Sequence, residues 1–258
     1  MTTATPPPAP PPAPPDPLHG RRVLVTGASA GIGEAVARTL TARGARVALL
    51  ARRADRLDAL AAELPGSVAV AADVTDDAAA QAAVARASAA LGGLDALVNA
   101  AGVFHAGVVT GDGERSTPDG WRAMFALNVV ALLVLTRAAA DALAAGTSPC
   151  VVNLSSMSGR RVPTAAGAVY AASKHAVHAV SEGLRTELAP RGVRVTVVAP
   201  GFVDTGIVDG WPDGPLRERF TERLATVGLD PAVVADGIAH VLASPAQVVE
   251  YALTSVRQ

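Results

Sequence analysis

The junction of Arg22-Val23-Leu24-Val25-Thr26 with Gly27-Ala28-Ser29-Ala30-Gly31-Ile32-Gly33 constrains the fold more than any other stretch of this chain. A short apolar run ending in glycines reads as a buried strand. Helical spacing then runs from Gly33 to Arg43, and Gly44 stops it. The same alternation continues down the chain. Further strands are expected at Arg46–Leu50, Ser67–Ala71, Ala96–Asn99, Val151–Leu154, Val193–Ala199 and Tyr251–Val256. Helices are expected at Asp55–Leu64, Asp76–Leu91, Pro118–Leu143, Ala168–Leu188 and Pro231–Ala243. Strands separated by helices of ten or more residues need crossover connections, and hence a parallel sheet. Near-continuous Val, Ala and Leu in the strands fits burial on both faces. The pattern predicts an α/β fold: a doubly wound parallel sheet of about seven strands, with helices on both faces, in a single domain.

Composition narrows what such a domain can be. Half of the 258 residues are hydrophobic but only 3% are aromatic, so the core has to be built from Ala, Val and Leu. A net charge of −1 lacks the basic excess of a nucleic-acid binder. The one cysteine, Cys150, excludes a disulfide framework or a cysteine-based metal site, and its neighbours Val151 and Val152 predict a buried thiol. His175 and His178, three apart without acidic partners, do not predict a metal site either. Residues 1–17 hold nine prolines and read as an extended, disordered tail ahead of a globular unit spanning 18–258. The N-terminus has neither the basic nor the apolar region of a signal peptide. The longest apolar run, Met124 to Leu135, has twelve residues interrupted by Asn128, too short to span a bilayer. The expectation is a cytoplasmic protein with no membrane and no nucleic-acid partner.

A glycine triplet alone fits a plain tight turn. With a strand before it and a helix after it, it becomes a phosphate cradle: the glycines allow close backbone approach, and the helix start offers free N–H groups and a positive dipole end. The spacing is Gly27-x-x-x-Gly31-x-Gly33 preceded by Thr26, not the commoner Gly-x-Gly-x-x-Gly. From about Leu18 onward the sequence resembles the short-chain dehydrogenase/reductase family. Besides the glycine turn, the resemblance rests on Asp73-Val74, Asn99-Ala100-Ala101-Gly102, Asn128, Ser156, Tyr170-x-x-x-Lys174 and Pro200-Gly201, all in the family's order. It implies a Rossmann-type catalytic domain that moves hydride between a nicotinamide cofactor and a carbonyl/alcohol pair. The cofactor contacts it implies are Gly27, Ser29, Gly31, Ile32, Asp73, Val74, Asn99, Gly102, Tyr170, Lys174, Pro200, Gly201, Val203 and Thr205, with Asp73 near the adenine. Ala100 departs from the family's second asparagine.

Cofactor choice turns on the end of the second strand, Leu50-Ala51-Arg52-Arg53, where no acid occurs until Asp55. A carboxylate there would bond a ribose 2′-hydroxyl, whereas a guanidinium grips a 2′-phosphate, so Arg52 and Arg53 predict NADP(H). Tyr170 and Lys174, four apart in a helical stretch, project from one face. A neighbouring ammonium and an oxidised nicotinamide would together lower the tyrosine pKa from about 10, and about three units would take about 4 kcal/mol. Tyr170 then donates a proton to the carbonyl oxygen, or removes one in reverse. Ser156, by the family's strand-Ser-Ser pattern and in preference to Ser155 or Ser158, polarises that oxygen. Asn128 reads either as a satisfied core amide or helix kink, or, by resemblance, as the holder of a water that connects Lys174 to solvent.

Substrate identity is expected in the segment from Phe202 to about Val227, which in the family forms a lid, with Trp211 and Phe220 as apolar contacts. Arg160 and Arg161 are candidates for an anionic substrate or solvated surface charges. The stretch Thr110–Thr117 looks like extra loop residues, on the surface or bordering the pocket. The readings left open are a ketone or aldehyde reductase (a ketoreductase), a 3-oxoacyl-thioester reductase, a hydroxy-acid dehydrogenase and a non-catalytic NADP-sensing protein. The last is disfavoured because Tyr170 and Lys174 are both present. The resemblance also implies a homodimer or homotetramer paired through the helices Pro118–Leu143 and Ala168–Leu188.

Overall fold

The computed structural model describes residues 15–110, 113–209, 211 and 213–257. Its strands are β1 (Arg22–Thr26), β2 (Arg46–Ala51), β3 (Val68–Ala71), β4 (Ala96–Asn99), β5 (Cys150–Leu154), β6 (Arg194–Pro200) and β7 (Glu250–Leu253). Its α-helices are α1 (Gly31–Ala42), α2 (Ala54–Glu63), α3 (Asp77–Leu91), α4 (Pro118–Phe125), α5 (Leu132–Ala144), α6 (Ala168–Leu188), α7 (Pro215–Val227) and α8 (Pro231–Ala243). All strands are parallel, in the order β3-β2-β1-β4-β5-β6-β7. The chain winds outward from β1 through β2 to β3, then returns to lay β4 against β1 and winds the other way. β1 pairs with β4 in the register Val23↔Ala96 and Val25↔Val98, so the carboxyl ends of these two strands form the switch point where ligands bind in open α/β sheets.

Alternation along the strands divides the core in two. Val23 and Val25 face one side, where α1, α2 and α8 pack through Val36, Leu40, Leu57, Ile238 and Leu242. Leu24 faces the other, against Val84 and Leu91 of α3, Leu135 and Leu143 of α5 and Leu188 of α6. Neither cluster contains a phenylalanine or tryptophan, so these rings pack elsewhere. Cys150 is fully buried, and burial pushes its thiol pKa up.

Several boundaries differ from expectation. β7 ends at Leu253, and Val256 stands wholly exposed. The stretch read as one helix from Pro118 to Leu143 is broken by a π-helical turn, Ala126–Ala131, that contains Asn128. Taken whole, Pro118–Ala144 is 27 residues, long and apolar enough by length and composition to cross a membrane, which corrects the twelve-residue estimate. Half of its most apolar window is buried inside the protein, as in the core helix of a folded domain. Helix α7 was not expected at all. Most of the proline-rich tail lies outside the described residues, but its boundary moves back. Asp16 caps the backbone N–H of Leu18 (2.8 Å) and pairs with Arg43 of the α1 C-cap (2.8 Å), and Leu18 is fully buried. Acceptance of these bonds lowers the Asp16 pKa.

Candidate active site

A cavity of about 1070 Å³ runs along the carboxyl edge of the sheet, past the ends of β1, β2, β4, β5 and β6. At one end the chain turns from β1 into α1. Gly27 sits at φ +68°, where a side chain is strained, and a Cβ there would come within 2.9 Å of Ala101 Cα. A Cβ on Gly33 would collide with the Gly27 carbonyl. Thr26, buried, fixes the opposing turn by accepting hydrogen bonds from the N–H groups of Ala100 and Ala101, both at 3.0 Å. The N-cap Ala30 offers no side-chain acceptor, so the first N–H groups of α1 face the cavity without an internal partner from the cap. This cradle fits the pyrophosphate of a dinucleotide.

Arg52 and Arg53 line the cavity at the end of β2. The Arg53 guanidinium donates to Ser29 Oγ (2.8 Å) and to the Ser29 carbonyl (3.2 Å), which ties the β2 end to the glycine turn. Arg52 is exposed and has no hydrogen bond among the described residues. Thr75, which donates its N–H (2.9 Å) and hydroxyl (2.7 Å) to Asp73 Oδ1, lowers the Asp73 pKa, and Arg52 adds to that effect.

The other end of the cavity gathers Ser156, Tyr170 and Lys174. β5 delivers two serines with different surroundings. Ser155 is buried and donates to the Lys174 carbonyl (3.1 Å), pinning the strand end to α6, while Ser156 accepts from Ser158 N–H (3.1 Å) and hydrogen-bonds the Tyr170 hydroxyl. Lys174 donates its ammonium to the Leu154 carbonyl (2.9 Å), and its Nζ lies 5.7 Å from the Tyr170 ring centroid. Burial pushes the Tyr170 phenol up to about 12, against the opposing Ser156 hydrogen bond, and pulls Lys174 down to about 8. Desolvation dominates both groups, and the ammonium is aimed at a carbonyl.

Two residues expected at the site stand behind it. Asn128 uses both ends of its amide to clamp Val103, accepting from its N–H (2.9 Å) and donating to its carbonyl (3.0 Å), and it also donates to Ser173 Oγ (3.1 Å). Placing Asn128 in a π-turn brings this clamp beside Gly102, within a Cβ's reach of Lys174 Nζ. Asn99 does not face the cavity. Its Nδ2 donates to Asn153 (2.9 Å) and Thr136 (3.2 Å) within the core, which corrects its expected cofactor contact through the side chain. Gly31, Ile32, Val74, Gly102, Pro200, Gly201, Val203 and Thr205 all line the cavity. Arg160 is paired with Glu250 (3.1 Å), leaving Arg161 as the cavity-lining member of that pair.

The lid expected within 202–227 carries a helix, α7, that was not expected. Leu216, Phe220, Leu224 and Val227 of α7 all line the cavity, and their spacing of four, four and three is a helical signal the sequence contained. Phe104, unremarked beforehand, is the centre of a cluster of rings. Its centroid lies 4.5 Å from Tyr170, 4.9 Å from Trp211 and 5.7 Å from Phe220. Trp211 donates its indole N–H to the Phe104 carbonyl (2.9 Å). The loop around 110–117 reaches the same cover, because Glu114 Oε1 accepts from Leu216 N–H in the first turn of α7 (3.2 Å). Among the described residues, no group of three or more His, Cys, Asp or Glu could hold a metal ion.

The profile of the short chain dehydrogenase family matches residues 21–215. An uncharacterized oxidoreductase of Staphylococcus aureus strain N315 is 34% identical over 227 residues, 87% of this chain and 92% of that protein. Among solved structures, a short-chain dehydrogenase from Burkholderia cenocepacia J2315 in complex with NADP is 36% identical with a TM-score of 0.80, over 92% of this chain and 97% of that one. An alcohol dehydrogenase from Thermococcus sibiricus complexed with 5-hydroxy-NADP is 27% identical with a TM-score of 0.81, over the same shares. The chain belongs to the short-chain dehydrogenase family of oxidoreductases.

Proposed function

We propose that this protein is an NADPH-dependent reductase of ketones or aldehydes. The observation that carries the reading is the meeting of Ser156, Tyr170 and Lys174 at one end of a cavity whose other end is the glycine cradle. The charge of the cavity favours NADP over NAD. Arg52, Arg53, Arg161, Lys174, Arg219 and Arg223 line it against only Asp73 and Glu222, a surplus of cations in a chain of net charge −1. A pyrophosphate plus a phosphate monoester brings about four negative charges, and the pyrophosphate alone about two. The NADP found in the Burkholderia cenocepacia relative is consistent with that choice.

The bound nicotinamide would supply hydride to the carbonyl carbon. The chain's own residues handle the oxygen. A phenol held near 12 is protonated at neutral pH, so Tyr170 is set to donate its proton to a carbonyl oxygen. Ser156, on the Tyr170 hydroxyl, can hydrogen-bond the same substrate oxygen and stabilise the charge that develops on it. Lys174, with its ammonium on the Leu154 carbonyl, keeps a positive charge beneath the phenol as the proton leaves. Asn128 acts through the Val103 backbone, fixing the turn that carries Gly102.

The test is Tyr170→Phe. It should lower kcat for carbonyl reduction by at least a thousandfold, about 4 kcal/mol of barrier, and leave the NADPH dissociation constant within about twofold. A well-folded variant that keeps more than about a tenth of wild-type turnover, with chemistry rate-limiting, overturns the reading.

A further inference from the structure

Helix α7 lines the cavity with two kinds of side chain. Leu216, Phe220 and Leu224 are apolar, but Arg219 and Arg223, one turn apart, line it as well. A cover that served only to exclude water would need no charge on that face. The helix's other early arginine, Arg217, is paired with Asp213. Arg219 and Arg223 have no ion pair and no hydrogen bond among the described residues, and Glu222, which shares the cavity face, pairs with neither. Arg223 is nevertheless held in place, with its guanidinium carbon 5.2 Å from the Phe202 ring centroid. A guanidinium lying over a ring keeps the N–H groups at its edge free to donate.

Phe202 ties this cation to the glycine cradle. Its carbonyl accepts from Leu229 N–H (2.8 Å), and the Leu229 carbonyl accepts from Asp204 N–H (3.0 Å), so the chain leaving α7 is seated against the turn that follows β6. Thr205 in that turn abuts the cradle, since a Cβ on Gly31 would meet Thr205 Cβ at 2.9 Å. Arg52 and Arg53, the cations at the end of β2, stand where a 2′-phosphate is expected. We propose, resting on the dinucleotide reading above, that Arg219 and Arg223 close over the pyrophosphate of the cofactor. The α1 N–H groups meet a diphosphate with the partial charges of a helix end, and a guanidinium adds a full charge and a two-pronged donor. The opposite end of α7 is tied to the substrate side, through Glu114 on Leu216 N–H and through the Trp211 indole on the Phe104 carbonyl. Binding the dinucleotide therefore also orders the cover beside Tyr170.

The experiment titrates the full chain with NADPH and with NADH by fluorescence, and follows hydrogen exchange in α7 with and without NADPH. The Arg219→Gln, Arg223→Gln double variant should weaken both cofactors alike, by roughly tenfold or more, because the pyrophosphate is common to them. The Arg219→Lys, Arg223→Lys double variant, which keeps the charges, should recover part of that loss. NADPH should slow exchange in α7 of the wild type and have little effect there in the glutamine variant, and circular dichroism confirms that both variants fold. Dissociation constants unchanged within about twofold overturn the inference and leave the dinucleotide reading standing. A loss confined to NADPH also overturns it, because the arginines would then serve the 2′-phosphate. If the wild type binds neither cofactor, the dinucleotide reading falls and the inference falls with it.

Discussion

Replacing Lys174 with methionine should make the protein more stable at pH 7 while removing its turnover. In the folded chain, burial draws this lysine from 10.5 down to about 8. At pH 7 the lysine is charged in both the folded and the unfolded chain. The shift of roughly 2.5 units is therefore a destabilisation of about 3 kcal/mol carried by the folded state. Methionine has a similar reach, no charge, and enough flexibility to fill the space. The replacement also strips the Leu154 carbonyl of its 2.9 Å donor, which costs about 1–2 kcal/mol. The net gain is about 1–2 kcal/mol, or a rise in Tm of roughly 3–6 °C for a domain of this size.

The pH dependence separates this cause from any general improvement in packing. For a base whose folded pKa is depressed, the penalty is full below pH 8 and fades as pH rises from about 8 toward 10.5. Between pH 7 and pH 9.5 the wild type should recover about 2 kcal/mol from this group, and the mutant nothing. Thermal unfolding of both proteins by circular dichroism, at pH 7.0 and 9.5 and equal ionic strength, measures the difference directly. The mutant's advantage should be present at pH 7 and vanish or reverse at pH 9.5. A mutant that is less stable at pH 7, or whose advantage persists undiminished at pH 9.5, refutes the reasoning.

Three further outcomes follow from the geometry. Arg52→Ala with Arg53→Ala should raise KM for NADPH at least tenfold and change KM for NADH little, because a charge-assisted contact of about 1.5–3 kcal/mol goes with the 2′-phosphate alone; equal effects on both cofactors, in steady-state kinetics, exclude the contact. Glu114→Ala should speed hydrogen exchange in the first turn of α7 and raise KM for the substrate more than it lowers kcat, since it removes the acceptor of the Leu216 N–H; exchange unchanged in α7 removes Glu114 from the cover. Deleting residues 1–14 should leave Tm unchanged, whereas deleting 1–17 should lower it by a few degrees through loss of the Asp16 cap and its pair with Arg43, at about 0.5–2 kcal/mol together; identical Tm values for the two truncations refute the role given to Asp16.

The sheet and most of the helices were legible because their signal is local. A run such as Arg22–Thr26 or Arg46–Leu50 carries its burial in its own residues, and each helix shows its period within a dozen positions. The site's outline was legible for a related reason: Gly27, Gly33 and Thr26 meet a backbone requirement that no other residue types meet so compactly, and Tyr170 and Lys174 share one turn of one helix. The failures were failures of direction. Asn99 sits at the correct strand end, yet the pleat turns its side chain into the core, toward Asn153 and Thr136.

The contacts that hold the cover of the cavity were illegible for a different reason. The indole bond of Trp211 joins residues 107 positions apart, and the Glu114 bond to α7 spans 102. No window of periodicity contains both partners of either contact. Each residue taken singly, a tryptophan in a loop or a glutamate in an insertion, fits solvent as well as it fits a partner. The fold brings them together only because β4 and β6 deliver their following loops to the same edge of the sheet, one on each side of β5. The described residues of segments 103–117 and 202–227 are therefore adjacent as a consequence of strand order, and what they can recognise depends on their side chains jointly. A change in either segment alone should alter substrate choice without touching the sheet, the glycine cradle or the surroundings of Tyr170. That separation is the physical basis on which one scaffold of this kind can accept different substrates while keeping a single arrangement of sheet, cradle and helix α6.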